Sequence, residues 1–356
     1  MRHFNNASWG ACLSAPDRTA AKALVLGCRG LVLEADERRF FSEAQPLGFI
    51  LFARNCATPA QLRALVADLK ASVGRASAPV LIDQEGGRVC RLPSSHWRVP
   101  PPAARFGALA RTDAAAASRA VWLNARLLAG ELLDLGITVD CAPVLDLPAR
   151  HADPIIGDRA FGVDAEQTAV LGRAMCEGFL AGGVLPVLKH IPGHGRARVD
   201  SHKALPEVTA DGSELAAADF LPFCALADMP LAMTAHIVYR AFDPKTPATL
   251  SKTVVQEVIR GQIGFDGLLL TDDISMKALE GGLADRAQAA LEAGCDVVLH
   301  CNGRLEEMAV LAAEVGSLTP DAQARSARAE AMRMAAKVDA DMDDVRARLA
   351  ECLGEA

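Results

Sequence analysis

No two of the ten cysteines (Cys12, Cys28, Cys56, Cys90, Cys141, Cys176, Cys224, Cys295, Cys301, Cys352) form a C-x-x-C pair, and none has compact disulfide spacing. That argues against a disulfide scaffold and reads them as small buried hydrophobes in a reducing compartment. An excess of positive charge is also missing. The chain has 37 Lys and Arg against 44 Asp and Glu, a net charge of −7, and no basic patch relieves it. Neither nucleic acid nor an anionic membrane is therefore an expected partner. Nowhere do 18 or more apolar residues run without charge, and M-R-H-F-N-N-A-S-W-G-A-C-L-S at the start places polar residues where a secretory core needs apolar ones. The expected location is cytoplasmic. Internal repeats, low-complexity tracts and a clear interdomain linker are absent. So is a G-x-G-x-x-G turn after an early strand, which leaves an open doubly wound dinucleotide-binding sheet without its main signal.

What is present is abundant core material: 51% apolar residues and 28 glycines, with only 4% aromatics, across 356 residues. This is a globular composition, far from the disordered or collagenous classes. Eight short apolar, β-branched runs stand at Ala23–Val32, Gly48–Phe52, Pro79–Ile82, Ile137–Val144, Val184–Leu188, Leu231–Ala235, Gly267–Leu270 and Asp296–Leu299. Each is followed by a segment with helical spacing. Continuous apolar strands alternating with helices predict a parallel sheet covered on both faces, and eight of them predict one (β/α)₈ barrel of the TIM type. Thr58 caps an expected helix over residues 58–72 with Pro59 in its first turn, and a second runs over 113–135 until Gly136. The whole of 1–356 is read as one catalytic domain. Within it, 1–20 form an extension of unassigned role, and about 320–356 form terminal helices, bearing Met332 and Met334, on the barrel exterior.

In such a barrel the chemistry belongs at the C-terminal ends of the strands, where polar residues cluster. Strand three ends D-Q-E-G-G-R-V-C-R (Asp83 to Arg91), strand four runs into D-C-A-P-V-L-D-L, and strand five into L-K-H-I-P-G-H-G; strand six ends M-T-A-H and strand seven L-T-D-D-I-S-M. The loop K-H-I-P-G-H-G-R-A-R-V-D-S-H from Lys189 to His202 crowds three histidines, a lysine and an aspartate together. In an extended segment Asp200 and His202 lie on one side with Ser201 pointing away, which makes a carboxylate-oriented imidazole suited to general acid/base work. Of the adjacent Asp272 and Asp273, one faces the barrel mouth. Asp273 suits capping a helix beginning near Ser275, which leaves Asp272, kept ionised by cations such as Lys189, as the candidate nucleophile. Glu85 suits a turn or supporting role, Arg159 a pairing with Asp158 or a helix end, and His194 the shaping of its loop. His236, His300 and His96 read as core or rim residues, His236 being the nearest to a ligand.

These motifs resemble bacterial β-N-acetylhexosaminidases of glycoside hydrolase family 3, the single-domain cytoplasmic type of cell-wall recycling. The resemblance rests on D-Q-E-G-G-R-V-C-R-L (83–92), G-D-R-A-F-G (157–162), K-H-I-P-G-H-G-x-x-x-x-D-S-H (189–202), M-T-A-H (233–236), P-A-T-L-S (247–251) and T-D-D-I-S-M (271–276), in family order over roughly residues 45–300. It implies Asp272 as nucleophile, His202 as acid/base and Asp200 as its partner, with Asp83, Arg91, Arg159, Lys189 and His190 binding the sugar. It also implies a muropeptide fragment as small-molecule substrate, N-acetylglucosamine linked to 1,6-anhydro-N-acetylmuramic acid. No cofactor or metal is expected, and the protein is expected to act as a monomer. The chain departs from the pattern at R-A-R-V (196–199), where an acidic residue and Thr are frequent, and at Ile191, where Phe is usual. Three other readings stay open: phosphorolysis in place of hydrolysis, a metallohydrolase using His190, His194 and His202, and a non-catalytic sugar-binding barrel.

Overall fold

The computed structural model describes residues 20–355. The apolar runs form eight strands: β1 Lys22–Gly27, β2 Pro46–Leu51, β3 Val80–Ile82, β4 Val139–Asp140, β5 Leu185–Ile191, β6 Leu231–Thr234, β7 Leu268–Asp273 and β8 Val297–His300. All pair in parallel, and β1 pairs with β8 through Leu24–Val298 and Leu26–His300 to close the barrel. The expected (β/α)₈ barrel is therefore the observed one. Nearly every strand residue is buried, because helices cover the outer face while side chains fill the interior.

The helices follow their caps. Thr58 Oγ1 accepts from the Gln61 amide at 3.3 Å to start Pro59–Ser72, and Asp113 does the same for Ala116 at 2.8 Å to start Ala114–Asp134. The latter stops at Gly136, whose φ of 78° lies in the left-handed region. After residue 320 come Pro320–Ala336 and Met342–Leu353, the second packed on the Ala114–Asp134 helix. Met332 packs against the core whereas Met334 is exposed. No helix among the described residues is long and apolar enough to cross a membrane.

Some boundaries move. β1 ends at Gly27 instead of continuing to Val32, since Cys28 opens a bend. β4 shrinks to two residues because Pro143 has no amide hydrogen to donate, although Leu145 still donates to the Lys189 carbonyl at 2.8 Å. β5 and β7 run further than expected, carrying Lys189–His190 and Asp272–Asp273 into the barrel mouth as strand residues. Glu207–Val208 and Val238–Tyr239 form an extra two-stranded pair joining the loops after β5 and β6. Of the cysteines, Cys28, Cys56, Cys141, Cys176, Cys295 and Cys301 are buried as expected, Cys90 and Cys352 are half-buried and Cys224 is exposed. Cys12 lies outside the described residues.

Candidate active site

The ends of β3, β5 and β7, with the excursion after β4, enclose a cavity of about 270 Å³ at the C-terminal mouth. Asp83, Arg91, Arg159, Lys189, His190, His202 and Asp272 all line it, while Asp200 stands behind His202. On one wall the charged groups are already paired. The Lys189 ammonium donates to Asp83 Oδ1 at 2.8 Å and lies 2.6 Å from Glu85 Oε1. Arg91 Nη2 donates to Asp83 Oδ2 at 2.9 Å, and Arg159 donates through Nε and Nη2 to both Glu85 oxygens, each at 2.8 Å. Burial alone raises a carboxyl, but the Lys189 and Arg91 cations outweigh it at Asp83, as Lys189 and Arg159 do at Glu85, so both acids stay below their ordinary values. Gly86, at φ 106°, turns the chain here, and a Cβ on it would run into the Pro101 carbonyl.

Glu85 thus takes the expected supporting role at the turn closed by its amide on the Val89 carbonyl, rather than that of a free catalytic acid. It holds Arg159, which pairs with it rather than with Asp158; Asp158 is taken by Arg88 at 2.8 Å. Glu85→Ala is expected to destabilise the protein by about 3–5 kcal/mol, because the nearly inaccessible Arg159 loses its carboxylate and Lys189 keeps only Asp83. Urea unfolding of the variant measures this. A loss under about 1 kcal/mol would show that Arg159 finds another partner.

The opposite wall is built from imidazoles. Asp146 after β4 is fully buried; its Oδ2 sits 2.7 Å from His190 Nδ1, and its Oδ1 accepts the His190 and His194 amides at 3.2 and 2.6 Å. The aspartate therefore ties the end of β5 to the loop that follows it. Asp140, the other acid of that stretch, points into the core, accepts from the Gln84 amide at 2.9 Å and is pushed up to about 8, chiefly by burial. His194 packs edge-on against His190, with ring centroids 5.5 Å apart, and burial pulls it down to about 4. Its Nε2 lies 3.2 Å from Ser201 Oγ, and its Nδ1 is buried without a partner. A bare lone pair is cheaper to bury than an N–H, so Nε2–H donates to Ser201.

That contact anchors the loop bearing the dyad. Asp200 Oδ1 meets His202 Nδ1 at 2.9 Å and accepts the His202 amide at 2.9 Å. The expected extended segment is not found. The Lys203 and Ala204 amides both donate to the Asp200 carbonyl, so residues 200–204 form a turn, and Ser201 points inward to His194 rather than away. Burial raises the Asp200 carboxyl, but hydrogen bonds from His202 pull it below its ordinary value. The His202 side chain is 63% exposed and borders the cavity. Gly195 lets this loop lie against the excursion after β4, since a Cβ there would collide with the Leu147 carbonyl.

Asp272 and Asp273 both border the cavity but differ in what they hold. Asp273 accepts from the Ser275 amide and hydroxyl at 3.1 and 2.9 Å and from the Cys301 amide at 3.3 Å. It caps a turn rather than the expected helix, which starts only at Leu283. Asp272 Oδ1 accepts the Asp273 amide at 2.7 Å, and that is its one hydrogen bond among the described residues. Burial raises this carboxyl, but His190 and His236 outweigh it and keep it ionised. The expected cation, Lys189, is instead committed to Asp83 and Glu85. His236 does not line the cavity: its ring bridges Thr249 Oγ1 at 2.7 Å and the Asp273 carbonyl at 3.0 Å. His300 is buried against Glu307, and His96 stacks edge-on to Trp97 at the surface.

Residues 25–334 match the glycosyl hydrolase family 3 N-terminal domain. Over 283 residues the chain is 41% identical to a beta-hexosaminidase of Alkalilimnicola ehrlichii, covering 78% of this chain and 80% of the relative. A beta-hexosaminidase of Pseudomonas aeruginosa is 38% identical over 310 residues, covering 86% and 90%. Among solved structures, NagZ from Neisseria gonorrhoeae in complex with N-trifluoroacetyl-D-glucosamine superposes with a TM-score of 0.83 at 32% identity, covering 94% of this chain and 98% of that one.

Proposed function

The chain belongs to glycosyl hydrolase family 3 and is a β-N-acetylhexosaminidase, and from that premise we propose that it is a retaining exo-enzyme that removes terminal β-linked N-acetylglucosamine through a covalent intermediate on Asp272. In the first step Asp272 attacks C1 while His202, protonated and oriented by Asp200, donates to the leaving oxygen. In the second, neutral His202 takes a proton from water, which displaces Asp272 from C1. Asp83, Arg91, Arg159, Lys189 and His190 hold the sugar. The observation that carries this reading is the shared cavity. One ionised carboxylate with an uncommitted oxygen and one carboxylate-bound, exposed imidazole border the same space.

The resemblance to cell-wall recycling enzymes points to 1,6-anhydro-N-acetylmuramic acid, with or without a stem peptide, as the leaving group. We read residues 1–356 as one catalytic unit, with the terminal helices part of it, acting as a cytoplasmic monomer without nucleic-acid or membrane partners. Cysteines without disulfide spacing support the location, and the net negative charge supports the lack of anionic partners.

Two aryl β-glycosides, one with a 2-acetamido group and one with a plain 2-hydroxyl, test the substrate. A sugar that leaves one buried donor unfilled costs about 1–3 kcal/mol, so the acetamido sugar is expected to be favoured roughly 5- to 150-fold in kcat/KM. With inorganic phosphate present the product should still be the free sugar. Equal turnover of both glycosides, or a sugar phosphate as product, would overturn the reading.

A further inference from the structure

The excursion after β4 and the loop after β5 both border the catalytic cavity, the first through Ile155, Ile156 and Arg159 and the second through Ser201 and His202. The same two segments enclose a second cavity of about 160 Å³, lined by Arg150, His151, Arg196 and Arg198, with Glu207 its one carboxylate. Amides of Ala149 and Asp153 donate to the Gly195 and Ala197 carbonyls at 2.9 and 2.8 Å, so the two walls are joined. Arg196 is committed to Asp219 and Glu214, and Glu207 to Arg240. Arg150 and Arg198 are exposed and make no ion pair among the described residues. Two uncommitted guanidinium groups thus share a pocket in a protein of net charge −7. One stands in R-A-R-V, the stretch where the chain departs from the motif pattern it resembles.

The position of the acid decides which part of the substrate this pocket meets. A general acid protonates the glycosidic oxygen, and that oxygen departs with the leaving group. The leaving group therefore lies on the His202 side of the scissile bond, beside the loop that carries Arg198. We infer that the second cavity is a leaving-group subsite selecting aglycones that carry a carboxylate, with Arg150 and Arg198 supplying the attraction. This rests on His202 being the acid, as proposed above. Guanidinium groups suit the task because their paired N–H donors match a carboxylate geometrically.

The test uses two N-acetylglucosaminides of 4-alkylphenols, one ending in a carboxylate and the other in the matching carboxamide, with the ionised group insulated from the phenol by two methylenes. The readout is the ratio of their kcat/KM values. Exposed charge pairs are modest, so the unmodified protein is expected to favour the carboxylate roughly fivefold at low ionic strength. The ratio should fall toward one at about 1 M salt, where screening reaches a few ångströms. Arg198→Lys should retain a preference, the Arg150→Ala/Arg198→Ala pair should abolish it, and Arg150→Glu, on the segment that does not carry the acid, should reverse it. An unmodified protein indifferent to the charge, or a double variant that keeps the full preference, would overturn the subsite. Acceleration of the carboxamide substrate by inorganic phosphate, lost in the double variant, would also overturn it, assigning the arginines to an incoming nucleophile. Turnover of the carboxamide substrate reports the proposed hydrolase independently; if it fails while the protein is folded, that reading falls and the subsite with it.

Discussion

Asp272→Ala is expected to fold normally and to lose activity toward aryl N-acetylglucosaminides on the order of 10⁴-fold or more, beyond the range of a lost general acid and toward that of a lost nucleophile. The size follows from the lack of a substitute. Asp83 and Glu85 face the same cavity but are bound to Lys189, Arg91 and Arg159, and Asp273 is bound to Ser275 and the Cys301 amide. None can swing to C1 without stranding a cation or an amide. Trapping the unmodified protein with a 5-fluoro glycosyl fluoride should place the label on the peptide containing Asp272. Label on Asp273 or Glu85 would refute the assignment, as would activity of the alanine variant on unactivated substrates. A thiazoline mimic of acetamido participation should inhibit only weakly, because the chain supplies its own nucleophile.

The second large effect concerns His202→Ala, and its signature is a slope rather than a single loss. Disaccharides, whose sugar leaving groups need a proton, should be cleaved about 10²–10⁴-fold more slowly. Aryl glycosides with acidic phenols should lose much less in the glycosylation step. Asp200→Asn should follow the same trend more mildly, since an amide keeps a hydrogen bond to Nδ1 but removes the charge that favours imidazolium. A loss that is uniform across the leaving-group series would show that His202 only holds its loop.

What the sequence revealed and what it hid divide along the range of the interactions. The eight strands were legible because a barrel strand buried on both faces must be apolar throughout, and Lys189, His190 and Asp272 were legible because charge interrupts those runs at their ends. Contacts between distant segments left no local pattern. Glu85 and Arg159 are 74 residues apart and Asp146 and His190 are 44 apart, so neither pair has a spacing to read. Ser201 turns inward because period two does not hold in a segment that two backbone hydrogen bonds close into a turn. Asp273 caps a turn where a helix is expected, because Asx capping has the same local sequence at a turn as at a helix. The pair Glu207–Val208 and Val238–Tyr239 is too short for any periodicity.

The wall of paired charges can also be counted in hydrogen-bonding capacity. An ammonium carries three N–H bonds; Lys189 donates one to Asp83 and stands 2.6 Å from Glu85 Oε1. A guanidinium carries five; Arg159 uses Nε and one Nη2 hydrogen on Glu85, and Nη1 reaches the Ile155 carbonyl at 3.4 Å. Arg91 uses Nη2 on Asp83, while its Nε is buried with no partner. The two carboxylates therefore do more than neutralise the cations. They set how many donors remain for sugar hydroxyls, so a sugar lacking a hydroxyl at this wall leaves one of those donors without the partner it would otherwise meet.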